Sequence, residues 1–162
     1  MTLRMAIDDF LAQKNIAVVG VSRQSREAAN TIYRKLREQG YQVTPVNPRA
    51  TEVEGDPCFP DLGAIDGQID AAIIATPPAA SVEVVRQCVE RGVSRVWIHR
   101  SFGQGSISEE ALHLCREHGI SVIPGACPMM FCQPVDPAHT CMRWMLGLFG
   151  RLPTGEMYPT HE

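Results

Sequence analysis

Serine, arginine and proline cluster in this chain where short apolar runs give way to polar loops, and these residue types suit the binding of a phosphate-bearing ligand. One such place is Gly20-Val21-Ser22-Arg23-Gln24-Ser25-Arg26, after the apolar run Ile16–Val21 and before an amphipathic stretch. The first backbone N–H groups of a helix lack intrahelical partners, and the helix dipole favours an anion there. Ser22 and Ser25 add hydroxyls, and Arg23 and Arg26 add positive charge, so the loop suits a pyrophosphate. Its plainer reading is a capped strand-to-helix turn with solvated arginines. The G-x-G-x-x-G fingerprint is not met, because Gly20 has neither the second nor the third glycine.

A second place is "PVNPRA". Folds that bind NAD carry an acid at the end of the second strand, accepting from the ribose 2'-hydroxyl. Here Asn47, Pro48 and Arg49 stand instead. A cation suits a ribose bearing its own phosphate, at the 2' position in NADP or the 3' position in coenzyme A. Otherwise Arg49 is a solvated loop residue. The third loop, Thr76-Pro77-Pro78, reads either as a helix start, where proline is tolerated, or as an apolar wall for a base or a pantetheine arm. The fourth, His99 to Gly103, offers His99 either as a polar group in a pocket or as a satisfied core histidine.

The thiols say less. Cys127, Cys132, His139 and Cys141 are spaced five, seven and two residues apart, which is not a paired-CxxC zinc pattern. No metal ligand is therefore nominated. Cys127 follows a strand at the ligand edge, where it could form a mixed disulfide with a thiol ligand. Cys88 and Cys115 lie among apolar neighbours and read as small buried hydrophobes. Paired carboxylates and a nucleophile elbow are both missing, so no catalytic residue is nominated.

Five short apolar runs must carry these loops: Ile16–Val21, Gln42–Val46, Asp70–Ala75, Arg95–Ile98 and Ile120–Ile123. Their length and β-branched content fit strands buried on both faces of a parallel sheet. Amphipathic stretches between them end at Gly40, Gly92 and Gly119. Right-handed crossovers then predict an α/β fold, a doubly wound five-stranded parallel sheet in the order 3-2-1-4-5. A short amphipathic helix precedes it. The stretch 49–67, rich in Pro, Gly and Asp, reads as a connection with an extended piece near Cys58–Phe59. An extra C-terminal helix carries Met142, Trp144, Met145, Leu148 and Phe149, which are expected to pack on the chain's own core. One domain over 1–150 and a flexible tail over 151–162 complete the organisation.

The chain has 162 residues with 18 acidic and 15 basic side chains, a formal charge of -3. That balance speaks against nucleic acid, which needs a basic face. The apolar runs are too short to span a bilayer, and the first residues hold no signal-peptide pattern. A cytoplasmic protein with no membrane partner is expected.

With these loops in view, the chain resembles the CoA-binding domain family. This is the stand-alone, single-domain group related to the N-terminal domain of the succinyl-CoA synthetase alpha subunit. The matching stretches are "IAVVGVS", Leu36 to Pro48 with "GYQVTPVNP", Gly92 to His99 with "VWIH", and His118 to Met129 with "HGISVIPGACPM". The resemblance spans roughly residues 10 to 135. It implies a Rossmann-like fold holding coenzyme A, with phosphates at the first loop and adenosine near the "PVNP" loop. The implied ligand set is Gly20, Val21, Ser22, Arg23, Arg26, Asn47, Pro48, Arg49, Thr76, Pro77 and Pro78, with His99 beside it. Arg49 stands where the family often has lysine. His99 takes a position usually held by glutamine, and the glycine that follows is delayed to Gly103.

The synthetase relatives use a phosphorylated histidine in a second domain, and no histidine here sits in a matching motif. The expectation is thus a coenzyme A or acyl-CoA binding module rather than an enzyme. Its alternatives are an NADP-dependent oxidoreductase subunit and a redox-sensing nucleotide-binding module. A homodimer or a partner enzyme is compatible with either.

Overall fold

Strands β1 (Asn15–Val19), β2 (Gln42–Val46), β5 (Ala71–Ile74), β6 (Arg95–Ile98) and β7 (Ser121–Pro124) form one parallel sheet in a computed structural model that describes residues 1–100 and 104–153. Alternate residues serve opposite faces, as a two-residue period requires. Ile16, Val18, Ile73, Trp97 and Ile123 face one side, under helices α1 (Leu3–Leu11) and α2 (Ala28–Glu38). Ala17, Val19, Ala72, Ile74, Val96 and Val122 face the other, under α3 (Pro78–Glu90) and α4 (Glu109–Glu117). Trp97 anchors the first side: Phe10 meets it edge-on at 5.4 Å, and its Nε1–H donates to the Gly125 carbonyl at 2.9 Å. Among the described residues no helix is long and apolar enough to cross a membrane.

The sheet order is β2-β1-β5-β6-β7, which corrects one expectation. Counted among the five long strands it is 2-1-3-4-5, not 3-2-1-4-5. The third long strand lies beside the first, with Ile16 opposite Ala71 through Val19 opposite Ile74. The place outside β2 goes to the connecting segment instead. There Phe59 makes a single parallel bridge with Val46. Its N–H donates to the Pro45 carbonyl at 3.0 Å, and the Asn47 N–H donates to the Phe59 carbonyl at 2.9 Å. Pro45 has no N–H to give, so a full ladder cannot extend along that edge. Winding therefore reverses between β1 and β5, not between β1 and β6.

The connection also holds structure that composition did not show. A two-stranded hairpin, β3 (Glu52–Val53) and β4 (Asp56–Pro57), is clamped to α2. Arg34 pairs with Glu54 at 2.7 Å, while Arg37 and the Tyr33 hydroxyl both donate to Asp56 at 2.6 Å. A second correction concerns the C-terminal helix, α5 (Pro137–Leu148). Leu146 is buried and Met142 half-buried against the core, yet Trp144, Met145, Leu148 and Phe149 are exposed. Most of the tail, residues 154–162, lies outside the described residues.

The clamp makes stability pH-dependent. Hydrogen bonds from Tyr33, then Arg37, hold the Asp56 carboxyl below its ordinary range. A carboxylate depressed on folding stabilises above its unfolded value, about pH 4, and that contribution is lost as pH falls through the folded value. In thermal denaturation from about pH 7 to pH 2, Asp56→Asn should be less stable than the wild type at neutral pH and converge with it in acid. A constant difference across the whole range would refute the assignment.

Candidate functional site

Gly20 leaves β1 with φ +105°, a backbone region that side chains rarely adopt. A Cβ there would overlap the Ala75 carbonyl, lying 2.8 Å from its carbon. The two strand ends thus touch backbone to backbone at the point where the winding reverses. Connections from β1 and β5 leave toward opposite faces, and a crevice opens between them at the carboxyl edge.

That crevice has a volume of about 630 Å³. Gly20, Asn47, Pro48, Arg49, Thr76 and Pro77 line it, so three of the four predicted loops meet there. A second cavity of equal volume lies near the opposite ends of β1 and β2, beside Lys14 and Tyr41. Size alone does not choose between them; the winding does. Asn47 organises the shared wall: its Nδ2 donates to the Val21 carbonyl at 2.9 Å, and its Oδ1 accepts from the Arg49 N–H at 2.8 Å. Pro78 opens α3, and Val21 is fully buried.

Ser22, Arg23 and Arg26 belong to the first loop but are not among the residues that line the crevice. What fixes that loop is Asn30, fully buried on α2. Its Oδ1 accepts from the Ser22 N–H at 2.9 Å; its Nδ2 donates to the Ser22 carbonyl at 2.6 Å and to Glu54 at 2.7 Å. One side chain therefore ties loop, helix and hairpin together. The cap of α2, Glu27, makes no side-chain bond to the helix N–H groups.

The arginines of the first loop, α2 and the crevice wall divide into two sets. Arg34 and Arg37 are engaged by Glu54 and Asp56. Arg23, Arg26 and Arg49 are exposed, and among the described residues nothing hydrogen-bonds or ion-pairs with their guanidinium groups. Two acids share the crevice with Arg49. Asp61 is occupied in part, accepting from the Ala64 N–H at 2.8 Å, and Glu83 lies 3.5 Å from Arg86.

His99 is placed elsewhere. It is buried at the end of β6, its N–H donating to the Ile74 carbonyl at 2.8 Å, and burial pushes its imidazole pKa down. It does not line the crevice, because β5 stands between β6 and β1. Gly103 lies outside the described residues. None of the six cysteines is in a disulfide. Cys127 and Cys132 are buried while Cys141 is exposed, so these thiols do not share one environment. Burial of Cys88 and Cys115 is complete and drives both thiol pKa values up, Cys115 to about 12.

Two contributions escaped the sequence reading. The α3 residues Ala80, Glu83, Val84 and Gln87 form a crevice wall; their spacing of three, four and seven marks one helix face, which was readable. Asn30 gave a fainter signal, a residue of poor helix propensity among the apolar positions Ala29, Ile32 and Tyr33.

Comparison with known proteins agrees with the fold. A family described as "CoA binding domain" matches residues 14–133. The alpha subunit of an ADP-forming acetate–CoA ligase of Pyrococcus furiosus is 30% identical over 129 residues, covering 75% of this chain and 28% of the ligase subunit. An uncharacterized protein of Bacillus subtilis, YneT, is 30% identical over 114 residues, covering 70% of this chain and 82% of its own. Among solved structures, a hypothetical protein from Pyrococcus horikoshii superposes with a TM-score of 0.73 at 29% identity, over 80% of this chain and 88% of that one. The chain spans about a quarter of the Pyrococcus furiosus ligase subunit it matches.

Loss of Asn30 tests the loop. Asn30→Ala leaves the Ser22 N–H and carbonyl without their partner, at a cost of about 1–3 kcal/mol, readable by urea denaturation. A change below about 0.5 kcal/mol would mean that water replaces the amide and that the loop does not depend on it.

Proposed function

Since the chain belongs to the CoA-binding domain family, we propose that it binds coenzyme A or an acyl-CoA in the crevice between β1 and β5. The observation that carries the reading is the pairing of a backbone-tight strand junction at Gly20 with an unengaged Arg49 on the crevice wall. The junction holds the ends of β1 and β5 together at the floor of the crevice. Arg49 supplies a cation where NAD-binding folds place an acid. Coenzyme A carries a 3'-phosphate on its ribose, and a guanidinium can meet two phosphate oxygens at once.

The other parts follow from their surroundings. Pro48, Pro60 and Pro77, with Val46 and Val84, make apolar walls that lose little conformational entropy when a base packs on them. The pyrophosphate would lie toward the first loop, held by Ser22, Arg23 and Arg26 and by the N-terminus of α2. Glu27 at that helix cap opposes an anion, so the arginines must outweigh it. Among the described residues no histidine or cysteine lines the crevice. The role proposed is binding, with chemistry supplied by a partner enzyme. NADP, which also carries a ribose phosphate, is the competing ligand.

Titration calorimetry with coenzyme A, 3'-dephospho-coenzyme A and NADP separates these. Coenzyme A should bind and NADP should not. Arg49→Ala should weaken coenzyme A about tenfold or more, a charged hydrogen bond being worth about 1.5–3 kcal/mol, and leave dephospho-coenzyme A nearly unchanged. Equal weakening of both ligands would remove Arg49 from the 3'-phosphate. Binding of NADP without coenzyme A would overturn the reading altogether.

A further inference from the structure

Helix α5 turns its most apolar side away from its own chain. Cys141, Trp144, Met145 and Leu148 recur at spacings of three, four and seven, which is one stripe of a helix, and Phe149 continues it. All are exposed, Trp144 at 68%, Leu148 at 66% and Phe149 at 67%. The opposite side gives the chain one buried side chain, Leu146, and a half-buried Met142. Ordering a residue costs about 1–2 kcal/mol in backbone entropy. One buried leucine is small support for a helix of 12 residues.

The polar groups of α5 are satisfied within the chain. Arg143 donates to the Met130 carbonyl at 3.1 Å and lies 5.8 Å over the Phe131 ring. His139 meets Asp136 at 2.6 Å. No charged side chain stands in the outer stripe. Such a surface offers a foreign partner nothing to recognise by charge, yet it complements itself, since a two-fold axis brings the same patch face to face without like-charge repulsion.

We propose that the outer stripe of α5 is a homodimer interface, occupied by the same stripe of a second copy about a two-fold axis. Aromatic side chains bury about 150–250 Å² each when fully covered. The stripe therefore offers on the order of 500 Å² per copy, and the pair about 1,000 Å², the threshold of a specific interface. The ridges of the two helices would interlock at about 8–10 Å between axes. The crevice is formed by other elements, so dimerisation stands apart from ligand binding.

Sedimentation velocity on the full chain, from about 1 to 100 µM, tests this. The wild type should sediment as twice 17.8 kDa at the upper concentrations. Trp144→Glu with Leu148→Glu should be monomeric throughout, with unchanged circular dichroism. Should that pair of charges unfold the chain, the milder Leu148→Ser should still weaken the dimer at least tenfold. Met5→Glu, at the exposed methionine of α1, should leave the dimer intact. A monomeric wild type at the highest concentration overturns the proposal, as does a dimer that survives both stripe variants. It also fails if removing residues 154–162 from a monomeric chain produces the dimer, since the tail would then be what covers the stripe.

Discussion

Where β1 and β5 end side by side, the Gly20 backbone rests against the Ala75 carbonyl with no room for a methyl group. That contact is possible only because the two strands are neighbours, and their neighbourhood decides the rest of the carboxyl edge. Chain leaving β1 passes to the face covered by α2, and chain leaving β5 passes to the face covered by α3. The gap between those departures is the crevice. A side chain at position 20 would force the strand ends apart and spoil the sheet and the crevice together.

A polar lattice holds the loops in place around that junction. Asn30 links the first loop to Glu54, Glu54 takes Arg34, and Asp56 takes Arg37 and Tyr33. Buried polar groups are costly unless paired, and among the described residues no buried side-chain nitrogen or oxygen lacks a partner. The hairpin thus acts as an acidic counterweight to α2. It engages Arg34 and Arg37, while Arg23, Arg26 and Arg49 have no such acidic partner among the described residues, a division no single loop could make.

Much of this was legible in local sequence. The strands at Gln42–Val46 and Arg95–Ile98 have the bounds their apolar runs suggest. The "PVNPRA" loop advertised its cation, and Asn47 and Arg49 do share a wall with Pro77. His99 was harder. With strand order 3-2-1-4-5 the fourth loop would border the reversal, whereas in the observed order the third does, and His99 is shut behind it. The apolar stripe of α5 was visible as a pattern, but a stripe does not say which way it faces.

Sequence by itself determined what depends on neighbours along the chain: which runs are strands, which stretches are helices, where cations and prolines punctuate the loops. Those properties follow from backbone periodicity and side-chain chemistry within a few residues. Tertiary structure decided what depends on residues far apart: that β5 and not β6 flanks β1, that Pro45 and Phe59 close the sheet edge, that Asn30 reaches Glu54, and that Trp144 points outward. Each of these is settled by competition among distant groups for one space or one partner. A pattern read along the chain records the competitors but not the winner.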